Sequence, residues 1–314
     1  MSETPPETIP AFFPSPDAPG RIALGEAPAP QPATDEALVA IEAYSINRGE
    51  TFLLAAAREN WRPGQDVAGR IERAAADGSG PPAGTRVVAH VPQDGWATHV
   101  VAPVGALAVL PDEVDIGAAS TLGVAGLTAL RLLRTAGSVS GKRVLLTGAS
   151  GGVGHFVVEL AAAQGALVTA VSATPERGER LLALGAEAIV ADVEEADGPF
   201  DVVLESVGGH SLEAGLARLA PRGTLLWFGQ AGGEAATLDF SAVAPVAPFA
   251  TIVPFIYWRS GASDADDLAT LVRLVAGGHL HPEIGLTADW RETPQVLEAL
   301  VEQRIRGNAV LTVS

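Results

Sequence analysis

The sequence predicts an α/β protein in which a doubly wound parallel sheet is joined to a domain of short β-strands. Three observations carry this. Residues 143–154 read RVLLTGASGGVG, an apolar run feeding a glycine-rich turn, and Phe156, Val157, Val158, Leu160 and Ala161 follow at helical spacing. From there to Phe228, short apolar runs alternate with helical segments, the mark of βαβ units with right-handed crossovers. Before Pro111 the pattern differs: short alternating runs are separated by Gly/Pro turns, as in a small β-barrel or a strongly bent sheet.

Taken in order, residues 1–35 are rich in Pro, Ala and acids and read as an extended arm with one strand near 21–24. Residues 37–43 alternate as a strand, 45–50 form a polar loop and 51–58 a helix. A loop at 63–69 enters another strand, 78–84 is a turn, and 86–90 and 97–101 are further strands. Pro111 opens the second regime with a helical stretch over 116–133. Strands are then predicted at 144–146, 167–171, 188–190, 201–204 and 224–228, with helices near 175–184 and 211–219. Residues 250–257 are apolar and β-prone, an edge strand open to pairing in a homodimer. Amphipathic helices at 264–276 and 293–304 and a strand at 307–313 close the chain.

The glycine turn is the chemically pointed feature. One glycine serves a positive φ, one lets backbone approach a phosphate, and one lets helix pack closely on strand. The amides and positive dipole end of the following helix then face a pyrophosphate. The bland alternative is a packed βα turn without a ligand. About twenty residues on, where an NAD site places an acid against the ribose, stand Ser172, Thr174 and Arg177. Hydroxyls and a guanidinium suit a 2′-phosphate, hence NADP(H). Glu176 leaves a second reading open, that of a carboxylate capping the helix at Pro175. The strand ends at 148–152, Ser172, 206–208 and 228–230 form one candidate groove.

Composition narrows the classes. A chain of 314 residues can build two cores. The net charge of −17 excludes nucleic acid and anionic membrane as partners, since both need a basic face. No apolar run approaches the roughly eighteen residues of a membrane span. The N-terminus has many prolines and no basic n-region, so a cytoplasmic location is expected. With no cysteine, disulfides, thiolate nucleophiles and sulfur-based zinc sites are excluded. Lys142 is the single lysine.

The ordered motifs Ser45-Ile-Asn47, Pro63-Gly-x-Asp66-x-Ala-Gly69, Gly126-Leu-Thr128-Ala129, Gly151-Gly-Val-Gly154, Glu205-Ser-Val-Gly-Gly209, Gly223-Thr-Leu-Leu-x-Phe-Gly229 and Gly307-x-x-Val310-Leu together resemble a known family. It is the zinc-independent, zeta-crystallin-like quinone oxidoreductases of the medium-chain dehydrogenase/reductase superfamily. The resemblance implies a GroES-like catalytic domain from residues 1–117 and 251–314, and a Rossmann NADP(H)-binding domain from 118–250. It places Asn47 and Thr128 at the nicotinamide, Gly151, Gly152 and Val153 at the pyrophosphate, and Ser172, Thr174 and Arg177 at the 2′-phosphate. Val207, Phe228 and Gly229 would line the nicotinamide. Read plainly, Thr128 caps or stabilises a buried helix and Asn47 holds a turn.

Departures from the family pattern matter. Zinc-dependent relatives carry Gly-His-Glu where this chain has Gly64-Gln65-Asp66, and their thiolates are missing, so no metal is expected. A lysine found in many relatives is Asn308 here, a cofactor-binding candidate, with Arg304 or Arg306 as the alternative charge. Phe52 stands where several relatives have a tyrosine, leaving Tyr44 and Tyr257 as the phenols; Tyr44, Asn47 and Thr128 are the catalytic candidates. Phe52, Trp61 and Trp96 suggest an apolar mouth.

The expected activity is therefore NADPH-dependent, zinc-independent hydride transfer to a small-molecule quinone or activated enone or alkene. The alternatives are an enoyl-type double-bond reductase and a non-catalytic NADPH-binding sensor or scaffold. A short-chain dehydrogenase is excluded because neither tyrosine is followed by the required lysine, and a P-loop NTPase because Arg143 follows Lys142.

Overall fold

The computed structural model describes residues 7–314. Its first element lies in the stretch expected as an arm: β1 (Thr8–Pro14) and β2 (Ile22–Pro28) pair antiparallel. Prolines hide the strand in the sequence, yet a two-stranded ribbon, bridged to the rest of the unit at Ala11 and Ala97, tolerates them. Its inward residues Ile9, Ala11 and Phe12 are buried, and Phe12 meets Trp290 edge-on at 5.6 Å.

There follow β3 (Glu36–Ile46), α1 (Arg48–Ala55), β4 (Asp66–Arg73), β5 (Arg86–His90), β6 (His99–Pro103) and β7 (Leu107–Val109). Helix α1 starts before the predicted 51 because the Glu50 carboxylate accepts the Asn47 backbone N–H at 2.9 Å, closing its first turn. The single helix expected over 116–133 is broken into α2 (Ile116–Ser120), a π-helical turn (Leu122–Gly126) and α3 (Leu127–Ala136). The cause is steric: a Cβ on Gly123 would lie 2.0 Å from Asp66 Oδ1, so the turn wraps a carboxylate.

The middle of the chain alternates as β8 (Arg143–Leu146), α4 (Gly152–Ala163), β9 (Leu167–Val171), α5 (Pro175–Ala183), β10 (Ala188–Val190), β11 (Phe200–Glu205), α6 (Gly209–Ala217), β12 (Leu219–Trp227), α7 (Phe240–Val243) and β13 (Thr251–Pro254). The chain ends with α8 (Asp264–Ala276), β14 (Ile284–Asp289), α9 (Thr293–Val301) and β15 (Asn308–Thr312).

Two compact units result, one from residues up to Leu127 with Ala262–Ser314, the other Thr128–Gly261. The first holds a seven-stranded sheet ordered β14-β15-β3-β4-β5-β7, with β6 also on β3. It is antiparallel except between β14 and β15. The second holds six parallel strands ordered β10-β9-β8-β11-β12-β13, with β8 central, the topology of a doubly wound sheet. The boundaries expected at 117/118 and 250/251 fall about ten residues early. Helix α2 packs on β3, β4 and β15, and Gly126 lies against Leu271, which keeps 118–127 with the first unit. Strand β13 hydrogen-bonds β12, which keeps it with the second. No helix among the described residues is long and apolar enough to cross a membrane.

Candidate active site

In the second unit the strand ends are stitched together by one carboxylate. Glu205, fully buried at the end of β11, accepts from Thr147 Oγ1 (3.1 Å), Val207 N (2.9 Å), Gly208 N (3.0 Å) and Ser211 Oγ (2.9 Å). Thr147 Oγ1 in turn accepts Ser206 N at 2.9 Å, and Phe228 N donates to the Glu205 carbonyl at 2.8 Å. This network sets the backbone of Val207, Phe228 and Gly229, the residues offered for the nicotinamide wall. Gly229 has no room for a side chain, since its Cβ would sit 2.8 Å from the Ser206 carbonyl oxygen.

The glycine turn divides its labour as the sequence suggests. Gly148 has φ +61°, and Gly154 packs so tightly that a Cβ would lie 2.2 Å from the Ala149 carbonyl oxygen. Of the three residues 151–153 implied for the pyrophosphate, Gly151 is corrected: its N–H already donates to the Gly148 carbonyl at 3.1 Å. Gly152 and Val153 open α4, where helix geometry leaves N–H groups without intrahelical partners. Donors at a helix start beside a positive-φ glycine fit a dinucleotide pyrophosphate.

At the end of β9 the polar groups first serve the start of α5, whose cap is Thr174 and not Glu176. Thr174 caps α5, its Oγ1 accepting Arg177 N at 3.4 Å, and buried Ser172 donates its hydroxyl to the Thr174 carbonyl at 3.2 Å. Glu176 sits in the first turn, where its own backbone N–H and the Thr174 hydroxyl hold its carboxyl below the usual range. Arg177 reaches back to the glycine turn, donating from Nε to buried Ser150 Oγ at 3.3 Å. Ser150, inside the glycine run, carried no signal of its own in the sequence.

In the first unit Asn47 leaves β3 and leads α1, half-buried, with its Nδ2 donating to Asp66 Oδ2 at 2.7 Å. Asp66 is fully buried and also accepts Ser45 Oγ (2.9 Å) and Val124 N (2.7 Å). Burial pushes its carboxyl above the usual range, against the pull of His90 and these donors. Beside it Glu50 accepts Asn47 N and Gly64 N (3.1 Å); burial, reinforced by the Asp66 charge, raises its carboxyl to about 8. Buried Thr128, the second residue of α3, begins the second unit.

Three expectations are corrected. Tyr44 is not a proton donor facing a substrate: it is wholly buried, stacked on Trp96 at 6.1 Å, with its hydroxyl 2.6 Å from Thr293 Oγ1. Burial raises that phenol strongly. Trp96 is likewise core and not mouth, whereas Phe52 is 49% exposed. Asn308 is buried in β15, its Nδ2 donating to the Glu283 carbonyl at 3.1 Å, which ties the start of β15 to the residue before β14. The alternative charges are paired, Arg306 with Glu283 and Arg304 with Glu302, both at 2.6 Å. Among the described residues no group of three or more His, Cys, Asp or Glu is placed to hold a metal.

Comparison with known proteins agrees with this layout. The zinc-binding dehydrogenase family matches residues 152–273. The quinone oxidoreductase of Pongo abelii is 26% identical over 276 residues, 82% of each chain. A spectinabilin polyketide synthase system protein of Streptomyces orinoci is 30% identical over 92% of this chain, which spans 14% of that protein's length. The Escherichia coli quinone oxidoreductase solved with NADPH shares the fold, with a TM-score of 0.86, 21% identity and coverage of 97% of this chain and 99% of that one. With the glycine turn, the parallel sheet and the strand-rich unit in place, the chain is similar to the quinone oxidoreductases in sequence and shares their fold, and its residues 152–273 match the zinc-binding dehydrogenase family.

Proposed function

We propose that the protein is a cytoplasmic, zinc-independent reductase that uses NADPH to reduce a small-molecule quinone or activated enone. The observation that carries the cofactor assignment is Arg177 drawn onto Ser150 of the glycine turn, which brings a guanidinium to the ribose end of the second unit. Bound NADPH supplies the hydride. The chain's part is to bind it: Gly152 and Val153 donate to the pyrophosphate, Arg177 pairs with the 2′-phosphate, and Glu205 holds Val207 and Gly208 rigid against the nicotinamide. Asn47 and Thr128 orient its carboxamide end. The relatives' printed activity and the NADPH complex of the Escherichia coli protein support this reading.

A quinone is favoured over an enoyl substrate because both tyrosines, Tyr44 and Tyr257, are buried. A hydroquinone anion leaves without protonation by the enzyme, and water supplies the proton, whereas an enoyl acceptor wants a positioned acid. The zinc-free reading is supported by Asp66, whose two oxygens are already engaged by Ser45, Asn47 and Val124.

The test is a titration of NADPH and NADH by tryptophan fluorescence. The native chain is expected to prefer NADPH, and Arg177→Ala to weaken NADPH by about 1–3 kcal/mol while leaving NADH unchanged. Equal affinity for the two cofactors overturns the phosphate assignment. NADPH binding without oxidation across a panel of quinones and enones favours the non-catalytic reading.

The protein is further proposed to be a homodimer through β13, the edge of the six-stranded sheet. In a chain of net charge −17, residues 238–258 carry only Asp239 as a charge, yet Phe240, Phe249, Ile256 and Trp258 are exposed. Sedimentation is expected to give twice the 32.0 kDa chain mass, falling to the chain mass in Ile252→Lys. A native protein sedimenting at the chain mass overturns it.

A further inference from the structure

We propose that Asp66 is the positioning residue of Asn47, a single buried carboxylate that fixes both the Asn47 amide and the turn over Leu122–Gly126. The proposal rests on the reading of Asn47 given above. Asp66 opens β4 and is wholly inaccessible, and its two oxygens do different things. Oδ2 receives Asn47 Nδ2 at 2.7 Å and Ser45 Oγ at 2.9 Å. Oδ1 receives the backbone N–H of Val124, four residues before Thr128, at 2.7 Å.

An ionised carboxylate only accepts, so the end of the Asn47 amide facing it must be the nitrogen. The carbonyl oxygen then accepts the Glu50 backbone N–H in the capping box and keeps a second lone pair for another donor. Asn47 thereby becomes an acceptor for a carboxamide or hydroxyl N–H or O–H of the cofactor, and its orientation is set by charge rather than by chance packing. The same carboxylate dictates the π-helical turn, because Gly123 wraps it at a distance no side chain permits. Two segments far apart in sequence are thus registered on one atom pair. The structural alternative is that Asp66 merely satisfies the interior. A buried carboxylate is a poor choice for stability alone, since the cost of taking it out of water offsets the hydrogen bonds it accepts.

The test is a double-mutant cycle of Asp66→Asn and Asn47→Ala, reading kcat, KM for NADPH and melting temperature. Asp66→Asn keeps the shape but lets the Asn47 amide turn. It is expected to lower kcat/KM for NADPH ten- to a hundredfold with a melting temperature equal to or above the native value. In the Asn47→Ala background the same change is expected to cost less than threefold more. Asp66→Ser takes its place in the cycle if Asp66→Asn does not fold. Native kinetics in the Asp66 variant, or equal losses in both backgrounds, overturn the proposal while leaving the reductase reading intact. A native chain that neither binds nor oxidises NADPH, or an Asn47→Ala variant with native kinetics, removes that reading of Asn47 and the proposal with it.

Discussion

Gly154→Ala is expected to lower the unfolding midpoint of the protein by about 6–12 °C and to abolish NADPH binding. The added Cβ would lie 2.2, 2.5 and 2.6 Å from the carbonyl oxygen, carbonyl carbon and Cα of Ala149. All three are backbone atoms of the turn itself, so no side chain can swing aside. Helix α4 must instead lift from the turn, an overpacking penalty on the order of 3 kcal/mol, which for a domain of this size corresponds to the stated shift. Lifting α4 also misdirects the Gly152 and Val153 amides. Gly151→Ala is the control: φ there is −84° and the added atom meets only the Gly148 oxygen at 3.3 Å, so a much smaller shift is expected. Scanning calorimetry with and without NADPH reads both effects, and a native midpoint in Gly154→Ala would refute the packing argument.

Stability is expected to fall as pH rises from 5 to 8, and Glu50→Gln to remove most of that slope. The folded carboxyl titrates near 8 against an ordinary value of 4.5. Between these values the unfolded chain gives up a proton that the folded chain retains, so deprotonation drives unfolding. The stabilisation is full below the unfolded value and lost as pH climbs through the folded one, on the order of 4 kcal/mol across the window. Asp66, also raised, slopes the same way. Glutamine loses one of the two acceptors serving Asn47 N and Gly64 N, so the variant is less stable at pH 5. The difference in slope between native and variant denaturant midpoints is therefore the readout, and parallel slopes would sink the assignment.

What could be read from residues alone follows the physics of each element. The parallel strands announce themselves because buried strands are unbroken apolar runs, as in Val144, Leu145 and Leu146. The glycine turn is legible because Gly148 and Gly154 answer local needs. Tyr44 misled because the pairing of β3 with β4 shifts register between Ile41 and Ala43, and this irregularity buries Ala43 and Tyr44 in succession. A period of two cannot anticipate that. The break within 116–133 was hidden for another reason: its cause is Asp66, remote in sequence, while Gly123 and Gly126 by themselves look like packing positions in one helix. Ser172 and Thr174, offered for the 2′-phosphate, stand at the end of β9, and their first partners are each other and the start of α5.

The place of β15 between β14 and β3 orders events on the ribosome. Thr128–Gly261 is one contiguous stretch, so all of its parallel strands are made before Ala262–Ser314. The other unit cannot finish its sheet at that time, because Ala309–Thr312 supply the hydrogen-bonding partners of Ala43–Ile46. The Ala43–Ile46 part of β3 waits with one edge open until β15 is made, and premature release of the nascent chain would leave that edge as a template for aggregation.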